Sequence, residues 1–404
     1  MNSSEKFLIP SVSAEGGRDE NLKRNLKMIL MDGFNKIGLL LMLLCILLFS
    51  CSKDGGEDLS MAQHVLLVYI GGDNSLSDET YQKIESIRSG WKAENDNKLL
   101  IYSDASDAKP LLMAIVNQNG KNVLKTVNLY MEEDSAYKET LARVIGEVKN
   151  LYPYSPYGLL VFSHASGWLP PGTLTNPQAA NKSVLMDGIS EMDMTDFANA
   201  IPDGTFDYIV FEACFMAGIE VAYELKDKTD YILASSAEIL SPGFTEVYPQ
   251  IINKLFDGDL KGFAQTSFEY FNTKTGWRRL ATFSIIKTSA LDDLSDFVSQ
   301  NCDLNKEINI GDIQYFDRYG YHLFFDFEQY YASLIGSDTQ REEFRTLIDK
   351  CVVWKAATPD FMINYNGFTI EKHSGLTVYI EQEQFSFLNA AYKRLAWYGA
   401  IHVK

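Results

Sequence analysis

Two residues in the chain, His164 and Cys214, have the chemistry of a thiol nucleophile and its proton carrier. Each stands just past a continuous apolar run: Gly158-Leu-Leu-Val-Phe162 leads into Ser163-His164, and Asp207-Tyr-Ile-Val-Phe211 leads into Glu212-Ala213-Cys214. A thiolate attacks, and a nearby imidazole helps to form it or later returns a proton to the leaving amine. Short apolar strands separated by helical patterns indicate a parallel sheet covered on both faces. Ligands bind at the carboxyl ends of the strands of such a sheet, so a His at one strand end and a Cys at another meet in space. Gly71–Asn74, after the apolar run 64–70, falls at the same edge. On residue types alone a plainer reading competes, in which Cys214 fills the core and His164 is structural.

The small residues Ala165 and Ala213 suit a crowded site. The stretch Phe215–Gly218 reads as the opening of a helix, whose dipole would favour a thiolate at Cys214. The backbone N–H groups of Cys214 and Ala165 are the candidate donors to a developing oxyanion.

The elements that must position these residues follow from periodicity. Strands are expected at 98–103, 231–235, 280–286 and 376–380. A hairpin over 111–131 turns at Asn119-Gly120. Leu141, Val144, Ile145, Val148 and Leu151 share one face of a helix. Residues 166–193 read as a long loop, 218–225 as helical and 387–397 as a closing helix. With no linker to force a split, residues 62–255 read as the catalytic core and 256–404 as the C-terminal part of the same unit.

The chain of 404 residues carries a net charge of −18, which argues against a nucleic-acid partner, since phosphate binding needs a positive field. Residues 1–50 read as a signal segment, with translation starting at Met1, Met28 or Met31. Lys36 precedes the apolar run Ile37–Ser50, which is too short to span a bilayer. Leu48-Phe49-Ser50-Cys51 resembles the lipobox of bacterial lipoproteins, which makes Cys51 the lipidated residue and the membrane a partner through the anchor. Residues 51–61 form a tether, and its acidic start resembles an export tag for the outer surface of Gram-negative bacteria. The expected location is the bacterial outer membrane or cell surface. An exported chain permits disulfides, and Cys302 and Cys351 either pack or bridge. No feature of the sequence sets an oligomeric state.

Two blocks, GLLVFSHASGW (Gly158–Trp168) and YIVFEACFMAGIEVAYELKDKTDYILAS (Tyr208–Ser235), resemble the clostripain family of cysteine peptidases, within the wider group of caspases, gingipains and legumains. The resemblance extends to Leu66–Leu76, Met131–Leu160 and Ser374–Ile380. It implies a caspase-like α/β/α sandwich around a mostly parallel sheet with a C-terminal extension. It also implies an endopeptidase that cuts protein or peptide substrates with a Cys/His dyad and no third acid. Many such enzymes cleave after Arg or Lys. The chemistry requires no cofactor, although the resemblance brings Ca2+ dependence and self-cleavage within 169–193 into view, Lys182 being a basic residue there.

The chain departs from the family pattern in places. Ala165 stands where Gly is usual beside the His. Glu212 replaces the usual Asp two before the Cys, where it falls on the same side of the strand and is a candidate for the specificity pocket. A second pocket Asp is missing from Ser241-Pro242-Gly243-Phe244-Thr245-Glu246, leaving Glu246 as a substitute. Trp168 is a candidate pocket wall, and Asp73 and Asn74 either shape a turn or bind calcium. These departures keep two alternatives open: a non-catalytic relative that binds peptides or glycans, and a Cys amidase acting on cell-wall peptides.

Overall fold

Strand β1 (Val65–Gly72) is buried along its whole length because both of its faces are covered. Val65, Leu67 and Tyr69 enter one core, while Leu66, Val68 and Ile70 enter the other, the alternation that a strand imposes. The structure is a computed structural model that describes residues 63–131, 133–171 and 184–402. The apolar run 37–50, Cys51, the tether and Lys182 lie outside the described residues.

After β1 come α1 (Ser77–Gly90), β2 (Lys98–Ala105) and the hairpin of β3 (Ala108–Gln118) and β4 (Lys121–Leu129). Asn119 and Gly120 both adopt positive φ, 54° and 79°, as a tight two-residue turn demands. Helix α2 (Lys138–Leu151) buries Leu141, Val144, Ile145 and Val148 on one stripe and leads into β5 (Tyr157–Phe162). The segment expected as loop contains a small hairpin, β6 (Leu185–Asp187) and β7 (Ser190–Met192). Its strands are too short for periodicity to reveal. Next are α3 (Met194–Ala200), β8 (Phe206–Glu212), α4 (Ile219–Glu224), β9 (Thr229–Ser235), α5 (Tyr248–Ile251), α6 (Leu260–Asn272), β10 (Thr282–Lys287) and α7 (Leu291–Asn301). The chain ends with β11 (Phe325–Asp326), α8 (Phe327–Leu334), α9 (Asp338–Cys351), β12 (Val352–Ala357), β13 (Asp360–Phe361), β14 (Phe368–Thr369), β15 (Thr377–Val378), α10 (Ser386–Tyr392) and α11 (Ala396–Ile401).

Nine strands form one sheet in the order β12-β10-β9-β8-β5-β1-β2-β3-β4. The middle five, β9 to β2 in that order, are parallel, and antiparallel strands flank them on both sides. Helices α1, α5 and α6 cover one face, and α2, α3, α4, α7, α8 and α9 the other. This is the α/β/α sandwich around a mostly parallel sheet that the sequence led us to expect. Strands β10 and β12, from the C-terminal part of the chain, continue the same sheet beside β9.

Two expected elements differ. The span 376–380 contributes only Thr377–Val378, paired with β11 rather than with the main sheet. The neighbouring Tyr379 N–H is taken by the Glu220 carboxylate of α4 at 2.7 Å. The closing helix is divided: α10 stops at Tyr392, and α11 starts afresh where the Ala396 N–H donates to Glu224 Oε1 at 2.7 Å. At both places an acid of α4, the buried Glu220 or the half-buried Glu224, takes a backbone donor.

The connections define a site. The chain leaves β1 toward β2, β3 and β4, then returns to β5 on the other side of β1. Such a reversal opens a crevice beyond the carboxyl ends of β1 and β5.

Candidate active site

Register brings the two candidate residues together. Phe162 of β5 pairs with Glu212 of β8 in the parallel ladder. His164 and Cys214 each lie two residues beyond that pair, on adjacent strands spaced about 4.8 Å apart. Both line one cavity of about 300 Å³ at the crevice.

Each residue is held from behind. His164 Nε2 lies 2.8 Å from Ser75 Oγ, in the turn that follows β1. Asn74 shapes that turn: its amide donates to Gly71 O and Met186 O at 3.2 and 2.8 Å, and its oxygen accepts from the Leu76 N–H at 2.9 Å. Asp73 O accepts from the Gly188 N–H at 2.6 Å, tying the turn to the β6–β7 hairpin. Among the described residues no group of three or more His, Cys, Asp or Glu is arranged to hold a metal ion. Ser163 Oγ accepts from the Met186 N–H at 3.1 Å, which fixes the residue before His164.

The Cys214 turn is set by Phe215, a bulky residue at φ 61°. Its N–H donates to Ala237 O at 3.1 Å, and its ring stacks on Phe324 with centroids 4.3 Å apart. A positive φ costs a residue of this shape of the order of 1–3 kcal/mol and persists only where its surroundings impose it. Ala217 donates to Ser235 O at 3.0 Å and accepts from the Thr377 N–H at 2.9 Å. The Cys214 thiol donates weakly to Ile239 O at 3.8 Å. The His164 and Cys214 loops also touch: Gly167 has φ +65°, and a Cβ there would stand 2.6 Å from Phe215 O.

This turn corrects the expectation of a helix dipole at Cys214. The first helical residue is Ile219, and α4 has only six residues. The positive-φ turn puts residues 215–218 between Cys214 and the helix. Ala165 is buried in the core and keeps a backbone angle open to any L-residue, so a methyl group in place of Gly is accommodated.

Three expected pocket residues lie elsewhere or do something else. Glu212 does line the cavity, but its side chain is fully buried and already ion-paired. Lys83 Nζ donates to it at 2.6 Å, the Phe244 N–H at 2.5 Å, and Tyr248 OH as well. Burial holds its carboxyl above the ordinary range, while Lys83 and these donors pull it back. Its charge is spent within the protein. Trp168 is not a pocket wall: it is 2% exposed and packs on Tyr379 and Tyr392 in the core. Glu246 belongs to an adjoining cavity, where it accepts from Tyr270 OH and pairs with Lys274 at 3.7 Å. Phe244 is fully buried among aromatic rings.

Sequence reasoning missed Ser75, Glu79, Lys83, Glu238 and Arg318. Arg318 forks onto Glu238 at 2.6 and 2.9 Å, and Glu238 lines the cavity. One signal was available: Lys83 shares the buried stripe of α1 with Thr80, Ile84 and Ile87, and a lysine on an apolar stripe calls for a buried partner. His322 Nδ1 meets Asp317 Oδ1 at 2.8 Å across a turn. His373 lies 3.2 Å from Ser236 Oγ, and burial pushes its imidazole down to about 3. Cys302 and Cys351 are free thiols, not a bridge, and burial pushes both up to about 12.

A family model described as the clostripain family, peptidase C11, matches residues 68–379. Clostripain from Hathewaya histolytica is 25% identical over 228 residues, which is 48% of this chain and 42% of that protein. The match thus spans less than half of that curated relative. The structure of an inactive zymogen C11 protease from Parabacteroides distasonis is 30% identical, with a TM-score of 0.74 over 85% of this chain and 99% of that one. A secreted C11 cysteine protease from Bacteroides thetaiotaomicron, solved with an irreversible peptide inhibitor, is 24% identical. Its TM-score is also 0.74, over 84% of this chain and 99% of that one, and at this identity the likeness concerns the fold.

Proposed function

We propose that this chain, which belongs to the clostripain family of cysteine peptidases, is an exported, lipid-anchored endopeptidase that cuts after Lys or Arg with a Cys214/His164 dyad. The observation that carries this reading is that both residues line one cavity at the ends of adjacent parallel strands. Cys214 Sγ attacks the scissile carbonyl carbon, and the backbone N–H groups of Cys214 and Ala165 receive the oxyanion. As the C–N bond breaks, His164 gives its proton to the leaving amine, and a thioester remains. His164 then takes a proton from water, hydroxide adds to the thioester, and the acid product leaves Cys214 as it began. Ser75 Oγ, 2.8 Å from Nε2, helps to orient the imidazole.

The preference for a basic residue is supported by the cavity wall, whose carboxylates Glu79, Glu212 and Glu238 outnumber by one the cations paired with them, Lys83 and Arg318. Cleavage of a random peptide library is expected to place Lys or Arg before the cut bond. An irreversible thiol probe with a basic residue is expected to label Cys214. Turnover of cell-wall peptides alone would point instead to an amidase, and neither turnover nor labelling would point to a binding module.

The anchor rests on the apolar run 37–50 followed by Cys51. Metabolic labelling with a fatty-acid analogue is expected to tag the wild-type protein and to vanish in Cys51→Ser. Retained labelling in that variant would sink the anchor.

A further inference from the structure

The geometry points to Glu79, on the first turn of α1, as the carboxylate that recognises the substrate cation. This rests on the basic-residue preference proposed above and assigns it to a residue that the sequence pattern does not mark. Three carboxylates line the cavity beside Cys214 and His164, those of Glu79, Glu212 and Glu238. Two are already neutralised by cations of the protein itself.

Glu212 is paired with Lys83 at 2.6 Å with no side-chain surface left for a ligand. Lys83 in turn is saturated: it also donates to Thr245 Oγ1 at 2.9 Å and lies 4.1 Å from the centre of the Phe162 ring. Glu238 gives both oxygens to the guanidinium fork of Arg318, the geometry in which a carboxylate is most fully engaged. Glu79 differs from both. Its ion pair with Lys83 is the long one, Nζ to Oε1 3.7 Å and beyond hydrogen-bond reach, because the ammonium is drawn down onto Glu212. Its side chain keeps 10% of its surface and lines the cavity.

Three carboxylates against Lys83 and Arg318 leave one negative charge in surplus, and distance places it on Glu79. The position is right for a substrate side chain. Ser75, which touches His164, lies four residues before Glu79. The wall therefore runs from the imidazole to Glu79 along the start of one helix. In a recess, a carboxylate in surplus attracts a cation more strongly than it would at an open surface. Lys83 has a second role in this arrangement. By cancelling Glu212 it moves the charge that recognises substrate from the end of β8 to the neighbouring helix α1.

The test compares kcat/KM for two peptides that differ only in arginine or citrulline before the cut bond, the second a neutral near-isostere of the first. The wild type is expected to prefer arginine, and Glu79→Gln to lower the arginine-to-citrulline ratio by about tenfold or more. Glu79→Asp, which keeps the charge, is expected to retain part of the preference. It also guards against reading a folding defect as a loss of recognition. A wild type without preference for arginine sinks the basic-residue reading itself. A wild type that prefers arginine, with a Glu79→Gln ratio unchanged, overturns the assignment to Glu79 alone.

Discussion

Cys214→Ala is expected to lower peptide hydrolysis by about a thousandfold or more, the scale seen when a nucleophile is removed from an acyl-transfer site. Stability is expected to change little. The thiol is half-buried and donates weakly to Ile239 O at 3.8 Å. Alkylation separates this outcome from a general thiol effect. Burial holds the Cys302 and Cys351 thiols at about 12, so near neutral pH they offer almost no thiolate. Among the described cysteines, iodoacetamide is therefore expected to modify the folded wild-type protein mainly at Cys214, and none of them appreciably in the folded variant. A variant that still hydrolyses peptides at the wild-type rate would remove Cys214 from the chemistry.

Lys83→Met is expected to destabilise the fold by about 3–5 kcal/mol, the cost of stranding one member of a buried ion pair. The lysine has no exposed side-chain surface, and neither does Glu212. With the ammonium gone, Glu212 keeps only the Phe244 N–H and the Tyr248 hydroxyl. The loss should depend on pH in a defined direction. Burial already raises the Glu212 carboxyl, and removing Lys83 raises it further. An acid whose folded value is raised is favoured while protonated, so the variant's deficit grows as pH rises through and above the ordinary carboxyl range. The double variant Lys83→Met with Glu212→Gln removes both charges and is expected to recover most of the stability. Urea unfolding at two pH values measures all of this. A double variant no more stable than Lys83→Met would show that the pair is not what the site depends on.

The middle of the sheet and the dyad were legible because each parallel strand is a short apolar run that stops at a chemically distinctive residue. Local order cannot report partners. Glu212 lies on the side of its strand expected from two-residue periodicity, yet its charge is settled by Lys83, 129 positions away. The helix expected to begin beside Cys214 is delayed by the turn at Phe215, whose positive φ nothing in the residue type announces. Trp168 and Glu246 were assigned by nearness in sequence to the His and the Cys blocks. The fold sends one into the core and the other into a neighbouring recess. Ser75 was missed because its partner His164 comes from a strand added only after the β3–β4 excursion.

The bond from the Thr377 N–H to Ala217 O gives the site a place in time as well as in space. The turn that carries Cys214 leans on Thr377, which follows the last strand of the main sheet, and the Tyr379 N–H repeats the link through Glu220. During synthesis the nucleophile's loop lacks these two supports until residues 377 and 379 have emerged and docked. Every strand of the main sheet is therefore made before the catalytic geometry can be completed.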